Sequence, residues 1–319
     1  MPRRLTQPNP RLNELRQMAG EPEAQSALAV RVLAEEKDVQ AVRAALEVLE
    51  QHPTPAARPV LRERYAHYDA DGLRRDVGGY LRAAIVRALR HIGLPEDLPV
   101  LERAASTYEF LPPTHSEEAS LLRSAALVTM EAVDPVVGAF HAIRLLADPY
   151  TSRLSGEPAV TAVRVLAAQD EHLALFYYAL YQPAPHSDVL SECLKNLTRL
   201  PRLLLPEIIK KYAGTDDEVV LVGLLDLVLD TGGGPLIREF MDRGEKLAVY
   251  RYLVTRLVAS HTEPDLAELS RAAQHEQNRR KLGILEESLG LGRADPIIVA
   301  ALAAVRGRIK ALALQASKE

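Results

Sequence analysis

The stretch over residues 80–108, YLRAAIVRALRHIGLPEDLPVLERAASTY, limits the possible fold more than any other part of the chain. Its first half carries an apolar stripe at helical period, and Gly93 followed by Pro95 marks the end of one helix and the start of another. The second half carries a further stripe, from Leu98 to Tyr108. Two helices that face only each other leave apolar surface in water, so such a pair needs a neighbouring pair on each side. The stretch therefore predicts a stack of helical hairpins.

The first helix of this stretch has a pattern that recurs along the chain. Its stripe consists of Leu81, Ala84, Ile85, Ala88, Leu89 and Ile92, and its other side carries Arg82, Arg87 and Arg90. Comparable segments begin at Val42, Leu81, Leu122, Val160, Leu190, Val220, Val249 and Arg280. The steps between them are roughly 40 residues for the first three intervals and roughly 30 afterwards, a spacing typical of helical repeats. We therefore predict an all-α chain without substantial sheet.

These two-helix units, with small residues in the first helix and a short Gly/Asp/Pro turn before the second, resemble HEAT repeats. The shorter units are similar to those of phycobilin-lyase-type proteins. Asp97 and Arg103 match the turn Asp and the following Arg of the HEAT pattern, whereas the next two units keep the Asp, as Asp134 and Asp170, but place phenylalanine where the Arg is expected. The resemblance implies one right-handed, armadillo-like α-solenoid of about seven to eight hairpins over residues 1–319. Within it we expect capping helices over 1–38, longer repeats over 39–157, and compact repeats with a C-terminal cap over 158–319.

The longer period of the first half comes from three long connections, at residues 69–79, 109–117 and 148–157. Each joins the second helix of one unit to the first helix of the next, so a regular stack would place all three on one rim. Insertions confined to one rim often mark a binding edge, although surface loops also tolerate insertion at little cost in free energy. On the binding interpretation, the rim residues predicted to contact a partner are Arg74, Arg75, Tyr150 and Arg153.

Aromatic residues are concentrated in the second helices, most densely in the segment FYYALY over residues 176–181. In HEAT-type arrays the second helices line the concave surface, so the resemblance implies that these rings contact a partner. The predicted contact residues are Tyr65, Tyr68, Tyr108, Phe176, Tyr177 and Tyr181. The alternative is that the rings fill the core between repeats, which we expect for Phe140 and Phe240. For Tyr177, Tyr178 and Tyr181 both interpretations stay open, but four rings in six helical residues place at least one away from the core.

Composition argues against several kinds of partner. The net charge is −4 and the basic residues are scattered, which disfavours nucleic acid. Cys193 is the one cysteine, which excludes an intramolecular disulfide and a thiolate metal cage. No run approaches the roughly 18 apolar residues that span a bilayer, and the N-terminal residues lack the apolar stretch of a signal peptide. We therefore expect a cytoplasmic location and no membrane partner.

The candidate chemical motifs fail on geometry. His186 and Cys193 can share a helix face, but they then lie about 10 Å apart, too far for a base and its nucleophile. The loop that contains Asp71 and Gly72 lacks the end ligands of an EF-hand. The run Gly232 to Gly234 has neither a preceding strand nor an adjacent lysine, as a phosphate-binding loop would require. We predict no catalytic residue, no metal site and no cofactor.

The sequence thus predicts a non-catalytic scaffold or adaptor that binds another, unidentified protein. The resemblance also leaves open a tetrapyrrole (bilin) lyase or chaperone-like protein, which would need no obvious catalytic motif. A HEAT-like DNA alkylation-repair protein is disfavoured, because that family relies on a basic concave face and a tryptophan cradle, and this chain has no Trp.

Overall fold

The computed structural model of the chain describes residues 9–113, 115–183, 185–243, 246–292 and 294–316. Over these residues the chain is all-α, as predicted, with a single antiparallel pair of two-residue strands, β1 (Phe110–Leu111) and β2 (Ser116–Glu117). The helices are α1 (Pro10–Gln17), α2 (Pro22–Glu35), α3 (Val39–Gln51), α4 (Arg58–Asp69), α5 (Gly72–Arg75), α6 (Tyr80–Leu89), α7 (Leu98–Ala105), α8 (Ser120–Val133), α9 (Pro135–Leu146), α10 (Ala159–Ala168), α11 (His172–Tyr181), α12 (Ser187–Lys195), α13 (Leu205–Tyr212), α14 (Glu218–Thr231), α15 (Gly234–Arg243), α16 (Leu247–Ser260), α17 (Glu263–His275), α18 (Arg279–Leu289) and α19 (Pro296–Ala316). None of the described helices combines the length and apolar character that crossing a bilayer requires.

All eight predicted repeat starts lie in helices. These helices, which we call the first helices, are α3, α6, α8, α10, α12, α14, α16 and α18. The α-helix that follows each along the chain, here called a second helix (for α3 it is α4, after a short 3-10 turn), is α4, α7, α9, α11, α13, α15, α17 or α19. The period-3.6 stripe therefore located these eight helices correctly.

The backbone contacts divide the chain into two compact units, residues 1–178 and 179–319, and the boundary falls within α11. In the first unit each first helix contacts the next, in the order α3, α6, α8 and α10. The second helices α4, α7 and α9 pack against α6, α8 and α10, respectively. In the second unit α12, α14, α16 and α18 contact one another in sequence in the same way. In each unit the apolar stripe of one hairpin is covered by the hairpin that follows it.

A cation on a second helix repeatedly donates to the free carbonyls at the end of an earlier helix. Arg64 of α4 donates to the carbonyl of Ala34, in the last turn of α2, at 2.9 Å. It also donates to the carbonyl of Glu36, the residue after α2, at 2.8 Å. Arg144 of α9 bonds the last residue of α7, Lys211 of α13 bonds the end of α11, and Arg308 of α19 bonds the residue after α17. The last carbonyls of a helix have no intrahelical hydrogen-bond donor and carry partial negative charge. A cation placed there supplies the donor and offsets the charge. This recurrence, not predicted from the sequence, ties successive hairpins together.

Candidate functional site

The outer face of α9 carries three exposed apolar side chains, with one exposed cation, Arg144, in the last turn. Asp134 starts the helix by accepting hydrogen bonds from the Val136 and Val137 backbone N–H groups, at 3.0 and 3.1 Å. Val136, Phe140 and Ile143 then recur at helical spacing and are 79%, 65% and 51% exposed. The opposite face is buried and packs on α8 and α10. Helix α9 thus has two apolar faces, of which one is covered; we call Val136, Phe140 and Ile143 the α9 stripe.

Helix α11 repeats this arrangement. Leu173, Tyr177 and Tyr181, which we call the α11 stripe, follow one another at every fourth residue and are 70%, 67% and 61% exposed. Leu175 and Tyr178 are buried on the other side. The prediction that at least one ring of the aromatic cluster faces away from the core is confirmed. Phe176 lies between the two faces and is half-buried.

Four other second helices expose charge where α9 and α11 expose apolar groups. The exposed polar residues are Arg62, Glu63 and His67 on α4, Glu102 and Arg103 on α7, Glu207, Lys210 and Lys211 on α13, and Arg238, Glu239 and Asp242 on α15. A surface helix ordinarily carries polar residues on its solvent side, as these four do. The two stripes therefore depart from the pattern of these four helices.

Four aromatic residues lie elsewhere than predicted. Tyr108, predicted in a second helix, lies beyond the end of α7 in the connection that follows. Tyr65 and Tyr68, predicted to contact a partner, are 3% and 6% exposed because they fall on the side of α4 that packs against α6. Burial raises the pKa of both phenols. Both belong to the core and are removed from the predicted contact surface. The expectation that Phe140 fills the core was wrong, because its ring lies on the exposed face of α9.

The three long connections are joined by two buried arginines. Arg82 was placed on the solvent side of its helix by the sequence pattern, yet it is 1% exposed. Its Nε lies 3.1 Å from Oδ2 of Asp76 in the connection before α6, and its Nη2 bonds Oε1 of Glu109 in the connection after α7. Its Nη1 lies 3.5 Å from Oδ1 of Asp69. One guanidinium therefore links residues 69–79 to residues 109–117.

Arg123 occupies the equivalent place one unit later and is fully buried. Its Nη2 bonds Oε2 of Glu117 at 2.7 Å, and its Nε bonds Oδ2 of Asp148 at 3.1 Å. Glu117 belongs to the connection before α8 and Asp148 to the one after α9, so Arg123, like Arg82, bridges the connections before and after its hairpin. The guanidinium also lies 4.3 Å from the centre of the Tyr108 ring, a cation–π contact. Together the two arginines confirm that the three connections lie side by side.

The predicted rim residues separate into an aromatic group and three exposed cations. The Tyr150 ring lies 5.5 Å from the Tyr108 ring and 5.0 Å from the Phe110 ring, both edge-to-face. Tyr150 is 47% exposed, and partial burial raises the pKa of Tyr108. Arg74, Arg75 and Arg153 are exposed on the same connections. Arg75 donates to the His67 carbonyl at 2.7 Å, near the end of α4.

The groups that resembled catalytic or metal sites have structural roles. Cys193 is buried, and burial raises the pKa of its thiol well above the ordinary value, which disfavours the reactive thiolate. His186 begins α12 by accepting a hydrogen bond from the Asp188 N–H at 3.3 Å. The Asp76 carboxylate accepts the Leu81 and Arg82 N–H groups at 2.8 and 2.9 Å. Across the described residues no group of three or more His, Cys, Asp or Glu side chains is placed to hold a metal ion.

Comparison of the chain with protein-family models, with curated proteins and with solved structures finds no match in any of the three. The HEAT resemblance therefore stays a prediction that depends on the repeat pattern of this chain.

Proposed function

We propose that this protein is a right-handed α-solenoid of eight HEAT-like hairpins that acts as a scaffold or adaptor for another protein. The order of contacts among the first helices within each unit supports the repeat architecture. The cations that cap the ends of earlier helices support it independently, because one such cation occurs on each of four second helices.

The exposure of the α9 and α11 stripes carries the functional part of this proposal. Six side chains, two of them tyrosines and one a phenylalanine, are more than half exposed on two second helices. Exposed apolar patches of this kind mark interaction sites more often than single exposed residues do. Tyrosine supplies contact area at little cost in side-chain entropy, and aromatic rings dominate the energetics of many interfaces.

The rim adds a polar and aromatic edge to the proposed contact surface. Tyr150 presents a ring held by Tyr108 and Phe110, and Arg74, Arg75 and Arg153 supply charge. The buried Arg82 and Arg123 fix the connections that carry these residues, so the edge is formed before a partner arrives. Preorganisation of this kind favours binding, because little ordering is left to occur on contact.

The experiment compares captured partners among variants. The tagged full-length protein, Phe140→Asp with Tyr177→Asp, and a control Leu203→Asp are each used to capture proteins from the native cells. Leu203 is 77% exposed in the turn before α13, away from both stripes in sequence, and receives the same chemical change. We expect proteins that are retained by the wild type and the control and lost with the double variant.

Thermal unfolding followed by circular dichroism accompanies the capture. Because both replaced residues are exposed, we expect the double variant to unfold within a few degrees of the control. A double variant that folds normally and captures the same proteins as the wild type would show that the stripes are not the contact surface.

A further inference from the structure

The solvent side of α18 has its charges separated by sign along the helix. Arg279 and Arg280 lie in the first turn, and Glu286 and Glu287 lie in the last. Gly283 stands midway between the two pairs and is exposed. These five positions follow one another at helical spacing, so they share one face, while the opposite side of the helix packs on α16 and α19. We call this surface the α18 charged face.

The order of these charges does not stabilise α18 by itself. The helix dipole favours anions at the first turn and cations at the last, and this face carries the reverse. The opposite charges also cannot pair within the helix, because Arg279 and Glu286 are about 10 Å apart along its axis. The arrangement therefore calls for a charged partner outside the helix.

Other residues of the chain meet this need only in part. Neither arginine of the face forms an ion pair with any residue that the structure describes. Oε1 of Glu286 accepts a hydrogen bond from Arg306 at 3.0 Å, and Oε2 of Glu287 accepts one from Arg251. The second oxygen of each carboxylate accepts none from the described residues, and the two side chains are 40% and 62% exposed.

Gly283 leaves space for a helix that packs closely on the charged face. Glycine inside a helix is destabilising relative to alanine. At Gly138 and Gly223 it allows close packing, because a Cβ there would lie 2.7 and 2.6 Å from the backbone of a neighbouring helix. At Gly283, and at Gly307 on α19, no described group lies within 4 Å of the Cβ position, apart from the chain neighbours and the helix's own backbone.

We propose that the α18 charged face binds the same face of a second copy of this chain, with the two helices antiparallel and crossing at Gly283. In a two-fold pair centred there, each residue lies beside the one equally far from the centre on the other copy. Arg279 then meets Glu287, and Arg280 meets Glu286. The symmetry repeats both contacts, which gives four pairs of opposite charge. Each helix N-terminus also lies beside a C-terminus, as the dipoles favour.

This match about a central residue favours a second copy over an unrelated protein, because a two-fold interface must be complementary to itself. The solvent side of α19 has a similar pattern: Ala303 and Ala311 stand four residues before and after Gly307, and all three are exposed. Helices with small side chains at their contact can approach closely. Because α18 and α19 present a small surface, we expect a reversible dimer. Neither helix carries the α9 or α11 stripe.

Sedimentation equilibrium of the full-length protein tests the dimer. We expect the dimer fraction to rise with protein concentration and to fall as salt is added, since exposed charges are screened. A chain that stays monomeric at every concentration would overturn the proposal.

Charge exchange on α18 tests the antiparallel pairing. Arg279→Glu with Arg280→Glu makes the face acidic, and Glu286→Arg with Glu287→Arg makes it basic. Each double variant should raise the dimer dissociation constant at least about tenfold, because four contacts of opposite charge become contacts of like charge. All four substitutions together restore every pair, and this variant should dimerise within about threefold of the wild type. Wild-type dimerisation of either double variant, or a monomeric fourfold variant, would overturn the proposal.

Arg31→Glu with Arg43→Glu is the matched control, because it makes the same change in net charge at exposed positions of α2 and α3. It should dimerise within about twofold of the wild type, and weakening equal to that of the α18 double variants would overturn the assignment to this face.

Gly283→Gln separates dimerisation from folding. Glutamine has the higher helix propensity, so circular dichroism melting of the dilute protein should show no loss of stability. The added side chain occupies the crossing point and should raise the dimer dissociation constant at least about tenfold, with every charge in place. Dimerisation of this variant at the wild-type level would also overturn the proposal.

Discussion

Replacing Arg82 with methionine tests whether the buried network holds the first two long connections in place. In the wild type the guanidinium is surrounded by the carboxylates of Asp69, Asp76 and Glu109, and Asp76 and Glu109 are themselves 5% and 6% exposed. Methionine fills much of the volume of the arginine stem, so the loss of packing is small. The main cost is that two buried carboxylates lose the charge that compensates them. Removing one partner of a buried ion pair costs about 3 to 5 kcal/mol, and we expect a loss of that size.

Arg87→Met is the matched control for this prediction. Arg87 lies on the same helix and also pairs with a carboxylate, but its side chain is 44% exposed and that of Glu50 is 41% exposed. Exposed pairs contribute less than about 1 kcal/mol, because water screens both charges. Urea unfolding monitored by circular dichroism measures the difference between the two variants.

Amide hydrogen exchange locates the effect. The Gly78 N–H donates to Oε2 of Glu109 at 2.9 Å, across the two connections, and should exchange faster in Arg82→Met than in Arg87→Met. Equal unfolding free energies for the two variants, together with unchanged exchange at Gly78, would refute the assignment of Arg82 as the residue that joins the connections.

Three further predictions follow from the second unit and from the functional alternatives. The Ser187 hydroxyl donates to Asp217 and holds the pKa of that carboxyl below its ordinary value, which stabilises the fold above about pH 4 and is lost as the pH falls. Ser187→Ala should therefore cost about 1 kcal/mol at pH 7 and progressively less below about pH 4, measured by urea unfolding across that range; a difference that does not depend on pH would contradict this. Cys193 should resist iodoacetamide in the native protein and react in concentrated urea, as mass spectrometry can show; rapid native labelling would contradict its burial. Mixing with a linear tetrapyrrole should leave the visible absorbance of the pigment unchanged, and a shift would favour the lyase or chaperone alternative.

Helical period predicted the hairpins but not the direction in which each polar residue points. Arg82 falls between positions of the apolar stripe, so the pattern assigned it to solvent. The structure buries it because the connections on either side of its hairpin bring carboxylates to the same place. A signal was present: the acidic residues Asp76, Glu109, Glu117 and Asp148 lie in connections that the sequence already grouped on one rim. Contacts that join distant connections depend on tertiary packing, which one helix's pattern does not contain.

The aromatic residues also show that the sequence of one helix does not always predict which of its side chains are buried. Tyr65 and Phe140 both lie in second helices, yet the first is buried and the second exposed. For Phe140 the local sequence is undecided, because α9 is apolar around most of its circumference and either face could turn inward. Tyr65 instead falls on the one apolar stripe of a polar helix, α4, and that stripe is the buried side. The small residues Gly138 and Ala142 decide the orientation of α9. A side chain on Gly138 would collide with the Glu131 backbone, at 2.7 Å, so that face approaches α8 closely and Phe140 is left outside.

The carboxylates that Arg123 binds lie in the connections before α8 and after α9, so this buried network also affects the position of the α9 stripe. Helix α9 lies between the connection that contains Glu117 and the one that contains Asp148, and Arg123 of α8 binds both carboxylates. A buried ion pair contributes little net stability, because the desolvation of its charges offsets their attraction. It does require one arrangement of its partners, since any other leaves a charge unpaired. Arg123 therefore fixes where Asp148 lies, just after the end of α9, while Asp134 fixes where α9 begins. With both ends held, the exposed face of α9 has a defined position on the first unit, as a preformed binding surface requires.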